Sequence, residues 1–183
     1  MEAEEGMHIN TPRGSVIIRP GLEGDAPAYR DLRLEALHNH PEAFSSDYEK
    51  YAAMPMSYWV QRLRFDHPDN EVMMYFAAHG EELLGMCGVA YSRARKSRHS
   101  AYLVSMYVRP DWRGLGVADG LIAACRDWAR AREITILKLG VASANVPAIL
   151  CYVRSGFQVY GLEPQAIYHD GVYYDELLMA RSP

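Results

Sequence analysis

The sequence predicts an α+β fold, a single domain built on a mixed, mostly antiparallel, twisted sheet of about seven strands with about four helices. In the first half, β-branched and aromatic runs return after short turns, as antiparallel hairpins do. In the second half, strand patterns alternate with helical patterns. The resulting order, β-α-α-β-β-β-α-β-α-β-β, differs from that of a doubly wound parallel fold, and no internal repeat or linker divides the chain.

Residues 1–14 are acidic and lack the apolar core of a secretory signal. We interpret them as a disordered leader and residues 15–183 as the single domain. Met1 and Met7 are both candidates for the natural start.

The predicted domain begins with a strand and two helical segments. Ser15–Arg19 is a short apolar strand. Asp25 is a typical N-cap for a helix that runs to about His38 and carries leucines along one face. The segment 41–55 is interpreted as loop or short helix, and Ser57 as the cap of a further helix.

The central elements follow from alternating apolar runs and turns. Val72–Ala78 and Leu83–Tyr91 flank a polar turn and predict a hairpin, and His99–Val108 predicts the next strand. A helical pattern then extends from Gly114 to about Arg132.

The closing elements alternate strand, helix and strand. Ile134–Val141 is so apolar that we expect a central strand buried on both faces. Asn145–Arg154 predicts a helix. Phe157–Gly161 and Val172–Ala180 predict two closing strands, joined by a polar excursion through Pro164.

Composition narrows the classes of function. Apolar residues make up 49% and charged residues 23% of the 183, as in soluble globular proteins. The formal net charge of −4 gives no basis for a nucleic-acid partner. No apolar run approaches the roughly 20 residues that cross a membrane. Cys87, Cys125 and Cys151 show no paired or metal-ligand spacing, so we expect free thiols in a reducing cytoplasm and no metal site.

The stretch from Val104 to Ala118, VSMYVRPDWRGLGVA, carries the strongest functional signal. A strand here passes through a glycine turn into a helix, which presents backbone N–H groups to an anion such as a diphosphate. A dinucleotide fingerprint fails because Asp119 stands at its third glycine position, and the Gly-Lys-Ser/Thr ending of a Walker loop is absent. The alternative without a ligand is a tight strand-to-helix connection.

A third pattern, R/Q-x-x-G-x-G/A, is satisfied by Arg113, Gly116 and Ala118 after a strand that ends in Val108-Arg109-Pro110. A second block stands about 30 residues later in NVPAILCYVRSGF and comprises Asn145, Ala148, Tyr152, Gly156 and Phe157, with Cys151 where Leu is common. Over about Val72 to Ala180 the chain therefore resembles the GCN5-related N-acetyltransferase (GNAT) superfamily, and its first third resembles a subgroup of unassigned substrate.

The resemblance implies that residues 15–183 form one acetyltransferase domain that uses acetyl-CoA as donor. Backbone groups of Met106, Tyr107 and Val108 would hydrogen-bond the pantetheine arm. Arg113 would either add charge at the diphosphate or cap the loop. Backbone amides at the start of the helix would hold the diphosphate, namely those of Gly114, Leu115, Gly116, Val117, Ala118 and Asp119.

The same resemblance assigns roles to the second block. Asn145 and Tyr152 lie two helical turns apart on one face, which would point at the thioester. Asn145 can also be the N-cap of its helix, and the two roles are compatible. Tyr152 would be the general acid that protonates the leaving thiolate, because a phenol (pKa about 10) and a thiol (pKa about 8.5) are closely matched. Its alternative role is that of a core tyrosine.

The reaction implied is direct attack of a primary amine on the acetyl carbonyl in a ternary complex, and it needs a proton acceptor. Some family members carry a glutamate early in the strand before the turn, where this chain has Tyr102. Others carry one at the end of the following strand, where it has Gly140. His99, Tyr102 and Glu35 remain candidates for the base.

The acceptor is expected to be a small-molecule amine or a peptide amine, bound between the loop 41–56 and the connection after Gly161. The tyrosines of these segments weakly favour a small or partly apolar amine. The alternative function is a non-catalytic acyl-CoA-binding or regulatory module with the same fold. A homodimer is compatible with the resemblance, because dimers are common in the family.

Overall fold

The computed structural model describes residues 6–65 and 70–183 and places eight strands in one mixed sheet. In space the strands follow the order β1-β2-β3-β4-β5-β6-β8-β7. β5 and β6 pair in parallel, whereas the other neighbours are antiparallel. The strands are β1 (Met7–Thr11), β2 (Gly14–Pro20), β3 (Val72–His79), β4 (Glu82–Tyr91), β5 (Ser100–Val108), β6 (Ile136–Ala142), β7 (Gln158–His169) and β8 (Val172–Arg181).

Within the described residues, five α-helices cover the two faces of this sheet, and the predicted α+β class is confirmed. The helices are α1 (Ala26–Asn39), α2 (Tyr48–Ala52), α3 (Met56–Gln61), α4 (Val117–Ala131) and α5 (Val146–Arg154). Residues of α1 and α3 form one apolar core with β3 and β4, and residues of α4 and α5 form the other with β4, β5 and β6. In the described part of the chain, no helix is long and apolar enough to cross a membrane.

The structure contains one strand more than predicted, β1. It shows that residues 7–11, which we expected to be part of a disordered leader, form a strand. Residues 7–11 pair with β2 from Met7↔Ile18 to Thr11↔Gly14. The pairing satisfies backbone groups along the free side of β2, and Ile9 packs against the core formed by α4. Residues 1–5 of the predicted leader lie outside the described residues.

The strand buried on both faces is β4, which corrects the prediction for β6. Every residue from Leu83 to Val89 is buried, because helices cover both sides of β4. In β6, Leu137 and Leu139 are buried whereas Gly140 is exposed. The apolar sequence of β6 could not show that α1 and α3 pack over β3 and β4 and leave one face of β6 uncovered.

The last hairpin is longer than predicted, and the polar excursion is part of it. β7 continues to His169 and pairs with β8 across a turn at Asp170-Gly171. The ladder is irregular between Glu163 and Ile167, the segment that contains Pro164. A proline without an N–H is accommodated at an irregularity of an edge strand, so the stretch stays in the sheet.

The predicted cap at Asp25 has a different partner. Its carboxylate accepts hydrogen bonds from Arg19 (2.7 and 2.8 Å) and from the amide of Leu22 (2.8 Å) and does not cap α1. The residue therefore joins β2 to the start of α1 through an ion pair.

The feature that positions the site is the divergence of β5 from β6. Their parallel ladder covers only Ser100–Tyr102 against Ile136–Lys138, and beyond it the strands separate. The β4–β5 ladder also shifts register where Ser105 has a φ of 58°. This bulge and the lost pairing open a cleft toward the end of β5.

Candidate active site

The cleft holds a cavity of about 840 Å³. Its walls come from the end of β5, the start of α4, the end of β6, α5 and the short helical turn Pro41–Ala43 with Phe44. The volume lies in the range of ligand-binding cavities.

The glycine turn forms one end of the cavity. Gly114 and Gly116 have φ values of 72° and 82°, a left-handed conformation that only glycine adopts readily. The first helical bond of α4 runs from the Gly120 amide to the Gly116 carbonyl. The amides of residues 117–119 therefore have no partner within the helix, and the positive end of the α4 dipole lies at this wall.

The structure brings most of the predicted site residues to this one cavity. Leu115 and Val117 are the exceptions, and the buried Val117 side chain packs in the core. The residues that line the cavity are Met106, Tyr107, Val108, Arg113, Gly114, Gly116, Ala118, Asp119, Asn145 and Tyr152.

Arg113 is anchored to the protein by three contacts. Its Nε donates to the carbonyl of Val108 at 2.9 Å, and its Nη2 lies 3.1 Å from Nε2 of His40. The guanidinium carbon is 5.7 Å from the centre of the Tyr107 ring. These contacts fit the loop-capping alternative, since the guanidinium connects the glycine turn to β5 and to the end of α1.

Asn145 begins α5 as predicted. Its side-chain oxygen accepts from the Ala148 amide at 3.2 Å, so it is the N-cap of the helix. It also lines the cavity, two turns before Tyr152, which makes the two roles compatible.

Tyr152 lies on the inner face of α5 and is 7% exposed. Its ring packs edge-on against Phe157 at 5.8 Å between centroids. Burial raises the pKa of Tyr152 far above its ordinary value, and the neighbouring thiols of Cys87, Cys151 and Cys125 raise it further. The hydroxyl therefore keeps its proton at neutral pH.

Cys151 is the cysteine at the cavity wall among the described residues. Its sulfur lies 3.8 Å from Oδ1 of Asp119. Burial and the Asp119 charge raise the pKa of Cys151, so its thiol stays protonated and weakly nucleophilic.

The three candidates for the base lie outside the cavity wall. Glu35 is engaged at 2.9 Å by the Tyr107 hydroxyl and at 3.0 Å by the Arg109 guanidinium. Tyr102 is 47% exposed and lies beside Lys138, and His99 precedes β5 at its opposite end. Glu35 thus has a structural partner on each side.

Several cavity residues escaped the sequence analysis because they come from other parts of the chain. Arg154 follows Tyr152 in α5 and adds a cation to the wall, and its position two residues after the motif tyrosine was a usable signal. Trp112, just before the glycine turn, also lines the cavity. Pro147, Ala148 and Leu150 lie within the second sequence block on α5. The others converge only through tertiary structure, namely His40, Glu42, Ala43, Phe44, Ala142, Ala144 and Tyr174.

A second cavity of about 420 Å³ adjoins the first and shares Phe44 with it. Its walls are the end of α1, the loop after it and residues 166–169 of β7. These are the two regions in which the acceptor was expected. Of the tyrosines in and next to these regions, Tyr48 and Tyr168 line this cavity, whereas Tyr51 and Tyr58 pack around Trp59.

Comparisons with known proteins agree with this geometry. A protein of Escherichia coli (strain K12), L-amino acid N-acetyltransferase AaaT, is 26% identical over 171 residues, which is 91% of this chain and 97% of that protein. The acetyltransferase of GNAT family from Streptococcus pneumoniae has the same fold with a TM-score of 0.81 at 20% identity, covering 92% and 99% of the two chains. The Salmonella typhimurium protein yncA, solved with its cofactor acetyl-CoA, has a TM-score of 0.74 at 19% identity over 91% and 93%.

The family comparison covers the site directly. The profile described as the acetyltransferase (GNAT) family matches residues 29–157, from α1 through the glycine turn to the end of the second block. The chain belongs to the acetyltransferase (GNAT) family and is an N-acetyltransferase.

Proposed function

We propose that this protein transfers the acetyl group of acetyl-CoA to a primary amine by direct attack in a ternary complex, with Tyr152 as the acid. The observation that carries the proposal is that one cavity joins the left-handed glycine turn to the Asn145–Tyr152 face of α5. A diphosphate at the turn and a thioester beside Tyr152 fit the two ends of this cavity.

The donor site is formed mainly by the backbone. The free amides of residues 117–119 and the α4 dipole favour the diphosphate of acetyl-CoA. The end of β5, which is separated from β6, offers main-chain groups to the pantetheine arm in the manner of an added strand. Arg154 supplies a cation at the same wall.

Tyr152 can act as the acid even though burial raises its pKa. A thiolate that leaves in the same desolvated region also has a raised pKa, because burial disfavours every anion. The phenol and the thiol therefore shift in the same direction and stay matched. The proton moves from the Tyr152 hydroxyl to sulfur as the C–S bond breaks.

The protonated state of Cys151 supports direct attack. An acetyl-enzyme intermediate would require a thiolate, whereas burial and Asp119 keep this cavity thiol neutral. The amine nitrogen is then the nucleophile that forms the new C–N bond.

The second cavity supports a small acceptor. It is about half the volume of the first, adjoins it at Phe44, and carries aromatic and polar side chains together. A small amino compound, such as the L-amino acids that the E. coli relative is named for, fits this size. A homodimer stays a prediction.

Steady-state kinetics test this proposal. Thiol release from acetyl-CoA is measured with L-amino acids, a short peptide and a polyamine, varying both substrates. We expect intersecting double-reciprocal lines and a small amine as the best acceptor. Parallel double-reciprocal lines for the wild type, together with loss of thiol release in Cys151→Ala, would overturn direct attack.

The acid is tested by Tyr152→Phe, which removes only the hydroxyl. We expect kcat to fall by about 10²–10⁴-fold, with the affinity for coenzyme A unchanged by calorimetry. An unaltered rate across pH would disprove the role of Tyr152. If coenzyme A stabilises the wild type thermally but no amine releases thiol, the non-catalytic module is the correct function.

A further inference from the structure

Glu176 of β8 is a carboxylate that none of the roles above uses. It lies directly opposite Ala142 of β6, and its own strand neighbour on the same face is Tyr174. Ala142 and Tyr174 both line the first cavity. Glu176 is half-buried. It shares one face of β8 with Tyr174 and lies beside the residues that line the cavity, not among them.

The Glu176 carboxylate extends across β6 at Gly140. A Cβ at Gly140 would lie 2.5 Å from Oε2 of Glu176, so the glycine leaves the space that the carboxylate occupies. The carboxylate of β8 therefore lies over the neighbouring strand β6 at this position.

A second carboxylate faces Glu176 from β7. Glu163 is its direct cross-strand partner, although like charges opposite each other destabilise a sheet. Burial raises the pKa of Glu176, and the Glu163 charge raises it further. Such a carboxylate accepts a proton more readily than an ordinary glutamate.

The other charged groups around Glu176 have partners or lie elsewhere. On β6, the Lys138 ammonium lies over the Tyr102 ring at 5.5 Å. The turn Pro41–Ala43 contacts β6 and β7, and its Glu42 lies 3.5 Å from Nδ1 of His40. Asp175 accepts from the Gln165 amide at 2.8 Å.

Resting on the proposed function, we propose that Glu176 is the proton acceptor of the reaction, reached from the amine through one water, and that Glu163 is a positioning residue that tunes it. The amine enters as an ammonium and gives one proton to Glu176, which releases it to solvent. The neutral nitrogen attacks the carbonyl carbon, the C–N bond forms and the C–S bond breaks. As the C–N bond forms, the nitrogen loses its second proton to solvent. Tyr152 gives its proton to sulfur, and the resulting phenolate takes a proton back from solvent.

The test compares Glu176→Gln with Glu163→Gln, and uses the exposed turn variant Glu81→Gln as control. Thiol release is followed from pH 5 to 9 with the best amine found for the wild type. We expect Glu176→Gln to lower kcat/KM about 10²-fold or more and to remove the acidic limb of the pH profile. Glu163→Gln shifts that limb to lower pH, and Glu81→Gln leaves it unchanged.

A carbon-13 NMR titration of the glutamate carboxyl groups in the free protein gives a readout without turnover. We expect the Glu176 signal to titrate above the ordinary value of about 4.3 and to move down in Glu163→Gln. If the wild type releases thiol while Glu176→Gln keeps both rate and acidic limb, the assignment of Glu176 is wrong. If no amine is acetylated by the wild type, the proposed function itself fails.

Discussion

The carboxylate of Glu35 on α1 accepts a hydrogen bond of 2.9 Å from the hydroxyl of Tyr107 on β5. Arg109 binds its other oxygen, so Glu35 connects the α1 side of the molecule to the strand that carries the cleft. Burial, and then Glu35 itself, raise the pKa of Tyr107, which keeps the phenol protonated and donating.

Glu35→Gln tests whether this carboxylate is structural. We expect a loss of about 1 kcal/mol in the free energy of unfolding, because a charge-assisted hydrogen bond and a partly exposed ion pair are weakened. Urea unfolding measures this loss. We expect the acidic limb of kcat/KM to stay in place. If the acidic limb of the kcat/KM profile disappeared while the free energy of unfolding stayed the same, Glu35 would be the base.

Gly116→Ala tests the glycine turn, with Gly171→Ala as a matched control. Both glycines have φ values of 82° and no atom within 4 Å of an added Cβ. Each substitution should therefore cost about 1–2 kcal/mol of stability through backbone strain. Only Gly116 lies at the cavity, so only Gly116→Ala should raise KM for acetyl-CoA. Equal KM values in the two variants would place the diphosphate elsewhere.

Arg113→Lys tests whether Arg113 acts by anchoring the glycine turn or by adding positive charge at the diphosphate. A lysine keeps the positive charge but cannot reproduce the contacts with Val108 and His40 from one planar group. We expect Arg113→Lys and Arg113→Ala to weaken coenzyme A binding alike, by about tenfold, in calorimetry at two salt concentrations. Restoration of binding by Lys at low salt would show that the charge at the diphosphate dominates.

Asp25 should make stability depend on pH. Burial alone would raise its pKa, but the hydrogen bonds from Arg19 and from the Leu22 amide outweigh burial and hold the pKa below the ordinary value. Its contribution is present above the unfolded pKa of about 3.9 and is lost as pH falls through the folded pKa.

We therefore expect Asp25→Asn to cost about 2 kcal/mol at pH 7 and much less near pH 3. Urea unfolding at both pH values checks this. Asp31→Asn on the exposed side of α1, where the nearest Arg30 nitrogen is 3.7 Å away, is the control and should change little. An Asp25→Asn cost that is equal at both pH values would contradict the ion pair.

Elements with a local signal were predictable, and they include most of the proposed donor site. The hairpin of β3 and β4 and the Asn145 cap follow from nearest-neighbour patterns in the chain. The glycine turn does so as well, because a left-handed residue next to a helix start requires glycine. The residues of this turn and of α5 line one cavity, as the two sequence blocks implied.

Elements that depend on coverage by distant segments were not predictable. β1 forms because β2 offers a free edge, and β6 has one open face because α1 and α3 pack over β3 and β4. The irregularity that keeps Pro164 inside β7 depends on pairing with β8. Such pairings depend on sheet geometry, which no local pattern records.

The sequence by itself determined the family resemblance and the cofactor, and it predicted Tyr152 as the acid, because these rest on short motifs whose backbone requirements are local. Only the tertiary structure decided which side chains surround the cavity. It engaged Glu35 with Tyr107 and Arg109, brought residues 42–44 to the cavity, and laid Glu176 across Gly140. The physical reason is that a sheet juxtaposes strands far apart in the chain, so the Glu176 side chain of β8 lies over Gly140 of β6.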